Sequence, residues 1–186
     1  MATLLSSVEI PIFLCLFTVV YTILSSVHGD EELIRKVCSK TSSPDVYCLG
    51  CLHTNPRSPE LDVRELAGTA IFCACNQSDA TVAAFNRYAT MTSDQDLVNA
   101  FAYCADAADI VGEKATVALS SWGDGNYKDS EDELNSARDV DIVNCRTELN
   151  KTFSKAGKPP FPQELQVEFT GLLGVVTIAE EIVEQI

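Results

Sequence analysis

Cysteines are the residues whose type and spacing most clearly predict chemistry in this chain of 186 residues, which contains eight of them. Cys38 and Cys48 flank the turn-forming pair Ser43-Pro44, five residues before it and four after it. Two helices that run antiparallel from a turn reach equal heights at equal distances from that turn. We therefore predict a helical hairpin closed by a Cys38–Cys48 disulfide.

A second pair of cysteines has the same symmetry on a larger scale. Cys104 and Cys145 lie 20 residues before and 21 residues after Asp124, which is flanked by glycines that typically end a helix. We predict a second disulfide between them, joining two long antiparallel helices. Disulfides of this kind stabilise a protein outside the cell, where thiols are oxidised.

Three further cysteines lie between these pairs. Cys51, Cys73 and Cys75 allow one more disulfide at most and leave at least one thiol without an intrachain partner. Cysteine is often a small buried apolar residue, which is the interpretation that we favour for Cys73. The Cys-Ala-Cys spacing is not the CxxC of redox and zinc motifs, and no histidine cluster accompanies it.

Catalytic residue patterns are weak. His53 lies beside a predicted connector, where a helix-end cap or a solvated side chain is the favoured interpretation. The carboxylates of Asp106, Asp109 and the run Glu131–Glu133 are typical of a solvated helix face rather than of two catalytic acids facing each other across a cleft. We predict no catalytic residues, no metal site and no cofactor, and thus a binding protein rather than an enzyme.

An apolar segment near the N-terminus predicts secretion. Residues 10–24 form a run of 15 residues, too short for a membrane span, and small residues precede Asp30. We predict a signal peptide over residues 1–29 and one domain over residues 30–186. The chain has a formal charge of −14, and losing Glu9 with the leader leaves −13. This charge argues against nucleic acid and anionic membranes as partners, and no membrane association is expected after cleavage.

Two sequons support a secreted glycoprotein. Asn76 begins Asn-Gln-Ser and Asn150 begins Asn-Lys-Thr, whereas Asn55 is followed by proline. Occupied sites would have to face solvent and would mark surfaces that a partner cannot cover.

Helical periodicity dominates the mature chain. The predicted class is all-α: an antiparallel up-down-up-down four-helix bundle with an N-terminal helical hairpin, clasped by disulfides. The hairpin covers 31–40 and 45–52, and the long helices run from about Leu61 to Tyr88, 95 to Trp122, Lys128 to Phe153 and 165 to 186. The last helix has the clearest apolar seam, formed by Leu165, Phe169, Leu172, Val176, Ala179, Val183 and Ile186.

Several segments resemble the plant invertase / pectin methylesterase inhibitor family. Residues 37–49 (VCSKTSSPDVYCL) are similar to its opening hairpin signature, and residues 55–58 (NPRS) with 62–67 (DVRELA) are similar to its next segment. Cys104 and Cys145 fall where its second disulfide lies. The resemblance implies a four-helix bundle with an N-terminal hairpin. It also implies one-to-one protein inhibition of plant cell-wall or vacuolar carbohydrate-active enzymes.

The segment after the third turn bears on which enzyme is inhibited. Residues 125–132 (GNYKDSED) resemble a Gly-Asx-Pro-Lys-Phe-Ala-Glu-Asp-like segment of the invertase inhibitors, in which Pro-Lys-Phe enters the enzyme's active site. Lys128 matches, while Tyr127 replaces the proline and Asp129 the phenylalanine. Residues 136–140 (SARDV) begin like the Ser-Ala-Ala-Leu-Thr stretch of the pectin methylesterase inhibitors and then depart from it.

We expect a secreted inhibitor that occludes an enzyme's active site through Asn126, Tyr127, Lys128 and Asp129. Acid invertase (β-fructofuranosidase) is the favoured partner, and pectin methylesterase (pectinesterase) is the alternative. A further alternative is an extracellular binding protein of the same fold without inhibitory activity. The apoplast or cell wall is the expected location, with the vacuole as the other destination.

Overall fold

The structure, a computed structural model, describes residues 31–54, 62–138, 143–155 and 162–186. These parts of the chain are helical, and none of them contains a strand. The helices are α1 (31–38), α2 (Asp45–Leu52), α3 (Val63–Met91), α4 (Gln95–Gly123), α5 (Tyr127–Ser136), α6 (Val143–Lys155) and α7 (Gln163–Val183). The predicted all-α class is therefore confirmed.

The N-terminal hairpin forms as predicted. Pro44 directly precedes α2, and the Cys38–Cys48 disulfide joins α1 to α2 with its Cα atoms 5.7 Å apart. The hairpin packs on the last helix, because Ser43 donates a hydrogen bond to the Gly174 carbonyl and the Ser42 backbone N–H donates one to Glu181.

Side-chain caps explain where the two longest helices begin. The Asp62 carboxylate accepts a hydrogen bond from the backbone N–H of Glu65, and that of Asp94 accepts from those of Asp96 and Leu97. An aspartate at this position satisfies backbone donors that the first helical turn leaves unpaired.

Neighbouring helices run antiparallel. Along α3 and α4, Phe85 lies near Phe101, whereas Gly68 lies against Trp122 at the opposite end. Helix α7 packs along α3, and α4 also contacts α5 and α6. A carboxylate of α7, Glu180, pairs with Arg138, which follows α5.

A continuous apolar core lies between these helices. The predicted inward faces of α3, α4 and α7 are mostly buried, as is the described part of the third predicted helix. Ile186 was predicted to end the seam of the last helix but is 42% exposed. The prediction was wrong there because α7 ends at Val183, so Ile186 no longer follows the helical period.

The disulfides divide the cysteines as follows. Cys104–Cys145 forms as predicted, and a third disulfide joins Cys51 to Cys73. Our favoured interpretation of Cys73 as a reduced apolar residue was therefore wrong: it is buried, but it is bonded because the hairpin packs beside α3. Among the described cysteines, Cys75 alone has a free thiol.

No described helix combines the length and apolar character that a membrane span requires. The predicted signal peptide and three predicted connecting or helical stretches, residues 55–61, 139–142 and 156–161, lie outside the described residues. The third predicted long helix is thus seen as α5 and α6, on either side of one such stretch.

Candidate functional site

The turn between α4 and α5 positions the four predicted contact residues. The Asp124 N–H donates to the Ser120 carbonyl at 3.1 Å, which closes the last turn of α4. Gly125 then adopts a φ of 78°, in the left-handed region that glycine tolerates best. The Asn126 N–H donates to the Ser121 carbonyl at 2.8 Å, and α5 begins at the next residue. This tight turn holds the start of α5 against the end of α4.

Tyr127 is partly buried in a small aromatic cluster. Its ring centroid lies 4.5 Å from that of Trp122, and the Arg64 guanidinium lies 5.7 Å from the Tyr127 centroid. Trp122 in turn covers Gly68, where an added Cβ would lie only 3.2 Å from the indole Nε1. The ring is therefore held by α3 and α4, and it serves as a structural contact between helices as well as a candidate anchor for a partner.

Lys128 projects into solvent with its side chain 71% exposed. Its Nζ lies 2.8 Å from Asp132 Oδ1 and 3.4 Å from Glu131 Oε1, one turn further along α5. The hydrogen bond to Asp132 raises the pKa of Lys128, so the ammonium is charged throughout the physiological range. Because the ion pairs are exposed and within one helix, they contribute little and are readily exchanged for a partner's carboxylates.

Asp129 is exposed in the first turn of α5, where the partial positive charge of the helix N-terminus favours an acidic side chain. This is a sufficient structural reason for a carboxylate at this position. Asn126 is also exposed, and its side chain makes no capping hydrogen bond. The four predicted residues thus form one exposed corner of the molecule, with Tyr127 as its inner wall.

Arg64 and Trp122 belong to this corner but were not predicted as part of it. Arg64 precedes Tyr127 by 63 residues, and only the antiparallel packing of α3 on α4 brings the two together. The spacing of apolar residues reports which face of a helix is buried, but it does not report which distant cation meets an exposed ring.

The other candidate residues lie elsewhere. His53 is exposed beyond the end of α2, and its Nε2 lies 2.9 Å from Glu31 Oε2 on α1; this contact is the main cause that lowers the pKa of Glu31. No described group of three or more His, Cys, Asp or Glu side chains has the geometry of a metal site. The arrangement at the corner can present a cation, a ring and a carboxylate to a partner, and it offers no described nucleophile beside a base.

The two sequon asparagines are exposed on α3 and α6. Ser78 and Thr152, which complete the triplets, are buried at 1% and 8% exposure, and Ser78 donates a hydrogen bond to the Ala108 carbonyl. An enzyme that reads the whole triplet would therefore need to act before the chain folds.

Comparison with protein-family models gives no match for this chain, and comparison with curated proteins gives none either. The family resemblance rests on the short segments quoted above and stays a prediction.

Proposed function

We propose that this chain is a secreted protein inhibitor of a plant carbohydrate-active enzyme, with acid invertase favoured as the target. The observation that carries the proposal is the corner at Asn126–Asp129, where an exposed Lys128 stands beside the partly buried Tyr127 ring. Glycosidases hold two carboxylates around the scissile bond. A cation delivered to that site from a rigid helix start would occupy it and block the substrate.

The helix packing supports the four-helix bundle that the inhibitor proposal includes. Helix α3 contacts α4 and α7, α4 contacts α5 and α6, and α5 contacts α7, so these contacts close a ring. If α5 and α6 count as one broken helix, the ring has the up-down-up-down order of a simple bundle. Such a scaffold would keep the corner fixed at one end, which limits the entropy lost on binding.

The substitution Lys128→Glu tests this proposal. We expect inhibition of a purified acid invertase to weaken by more than about tenfold, because the variant places a carboxylate against the enzyme's own carboxylates. The melting temperature should stay close to that of the wild type, since the Lys128 ion pairs are exposed. The measurement is the inhibition constant at acidic pH, with calorimetry on the same preparation.

Lys151→Glu is the matched control. Lys151 is 73% exposed and pairs with Glu148 three residues earlier on α6, so the variant makes the same change of charge in a similar setting. It should inhibit like the wild type. Equal inhibition by the Lys128 and Lys151 variants would remove Lys128 from the mechanism, and no inhibition by the folded wild type would remove the proposed target.

Pectin methylesterase is a second candidate target, favoured by the acidic surface. The chain has 27 acidic and 13 basic residues, and exposed carboxylates such as Asp129 flank the corner. An acidic surface would dock on a basic esterase through complementary charge. The same preparations assayed against a pectin methylesterase separate the two targets, because selective loss of one activity identifies which enzyme is blocked. Inhibition of neither would favour the remaining alternative, an extracellular binding protein of the same fold.

A further inference from the structure

The outward face of α4 carries a row of large apolar side chains. Tyr103, Ile110 and Val117 are 45%, 41% and 50% exposed. They are spaced seven residues apart, so they lie on one face of the helix, over about 21 Å of its length. The buried residues of α4, such as Phe101, Ala108 and Ala115, occupy the opposite face. We refer to these three exposed residues as the α4 stripe.

Carboxylates border the α4 stripe on one side. Asp106, Asp109 and Glu113 are exposed, and none of them has an ion-pair partner among the described residues. Lys114 is the only basic residue of α4, and its Nζ lies 3.6 Å from Glu133 on α5. The stripe is therefore an apolar row beside uncompensated negative charge.

A polar groove continues the surface at the Tyr103 end. It runs between α4 and α6, and its walls include Asn99, Asn144 and Thr147 beside Tyr103. Apolar centres with polar borders are typical of protein interfaces, and their central aromatic residues contribute most to affinity.

We propose that the α4 stripe is a docking surface for a cationic amphipathic helix of another protein. Its apolar row would cover Tyr103, Ile110 and Val117, and its lysines or arginines would pair with Asp106, Asp109 and Glu113. A second copy of this chain does not fit, because it would bring the same three carboxylates towards these. The proposal does not depend on the inhibitor function, since the stripe lies outside the Asn126–Asp129 corner.

The probe is a synthetic helical peptide of about 20 residues, roughly 30 Å long, with leucines along one face and lysines elsewhere. Its control has serine in place of leucine. Fluorescence anisotropy of the labelled peptides gives their affinity for the intact protein. The wild type should bind the leucine peptide more tightly than the serine peptide, and Ile110→Ser should weaken binding by about tenfold or more.

Val167→Ser is the matched control, because Val167 is 55% exposed on α7, outside the stripe. It should bind the leucine peptide like the wild type. Equal losses in the Ile110 and Val167 variants, or equal affinity for the two peptides, would overturn the proposal.

Charge variants test the second half of the proposal. Removing the charges of Asp106, Asp109 and Glu113 together, as Asn, Asn and Gln, should lower the affinity and flatten its dependence on salt. Removing those of Glu32, Asp45 and Glu184, three exposed carboxylates on other parts of the surface, should change both much less. Equal effects of the two triple variants would overturn the proposal. A dimer in sedimentation that Ile110→Ser dissociates would also overturn it, by assigning the face to a second copy.

Discussion

Single residues in this protein often serve packing where their type had suggested binding or catalysis. Asp129 fits the N-terminus of α5, and Tyr127 braces α3 against α4. Arg138, which departs from the pattern of the pectin methylesterase inhibitors, pairs with the buried carboxylate of Glu180. An unusual residue beside a candidate site is therefore informative about function only after its structural partners are known.

Ser130 is the clearest case of a residue whose side chain is poorly matched to its position. It is fully buried on α5, and its hydroxyl has no hydrogen-bond partner among the described residues. Ser130→Ala should raise the free energy of unfolding by about 1 kcal/mol, because it removes an unpaired polar group from the core. Urea denaturation monitored by circular dichroism measures the change.

The exposed Ser120 of α4 provides the comparison for that variant. Ser120→Ala should gain only the difference in helix propensity, roughly 0.5 kcal/mol. A destabilised Ser130→Ala variant would mean that the hydroxyl has a partner, such as a bound water, that the core requires.

At the scale of elements, the helices meet through small residues as well as through large apolar ones. An added Cβ at Gly112 of α4 would lie 2.6 Å from Ser78 Oγ on α3, and that hydroxyl already donates to the Ala108 carbonyl. Gly112 and Ser78 thus allow the α3 and α4 backbones to approach closely. Alanine at Gly112 would force Ser78 to give up a buried hydrogen bond.

We therefore expect Gly112→Ala to destabilise the protein by about 1–3 kcal/mol, although alanine favours helix formation. Gly50 of α2 has no neighbouring atom within 4 Å of the added Cβ, so Gly50→Ala should stabilise by about 0.5–1 kcal/mol. Thermal melts of the two variants measure these effects. Opposite signs are the result expected, and a gain of stability in both would mean that the helices separate easily.

The contact between the end of α3 and the start of α7 should be sensitive to acid. The Glu164 carboxylate on α7 accepts a hydrogen bond from the Tyr88 hydroxyl and pairs with Arg87. These contacts, the one with Tyr88 foremost, lower the pKa of Glu164 from its ordinary value of 4.5. A lowered carboxyl pKa contributes stability that is present above pH 4.5 and lost as the pH falls through the folded-state pKa.

Glu164→Gln should accordingly destabilise the protein at pH 7, and the difference from the wild type should vanish near pH 3, once the wild-type carboxyl is also neutral. Urea denaturation at both values measures this. Glu184→Gln, an exposed change at the other end of α7, should show no such pH dependence. A constant difference at both pH values would show that Glu164 acts through packing and not through its charge.

At the scale of the whole molecule, the sequence predicted the helices better than their contacts. Caps and turns such as Asp94, Pro44 and the Gly123–Gly125 segment are local signals, and each marked a boundary within a few residues. The pairing of Cys51 with Cys73 depends on where the hairpin packs, which no local pattern specifies. The Arg64–Tyr127 contact at the candidate site depends in the same way on which helices become neighbours.

The Cys51–Cys73 disulfide is the covalent link between the hairpin and the rest of the fold. Replacing both cysteines with alanine should lower the free energy of unfolding by about 3 kcal/mol, because the unfolded chain loses a constraint across a 22-residue separation. Calorimetry measures the change. Cys75→Ala should have a much smaller effect, and equal effects of the two replacements would show that the disulfide contributes little.

The order of the disulfides along the chain has a consequence for biosynthesis. Each bond joins neighbouring cysteines of the described chain, across 10, 22 and 41 residues, and no bonded loop encloses or overlaps another. During synthesis from the N-terminus, each cysteine that opens a loop can pair with the next one to emerge, before later thiols compete for it. Oxidative maturation of this protein should thus need little disulfide isomerase, and Cys75, which emerges only after Cys51 and Cys73, would be left over by timing as well as by geometry.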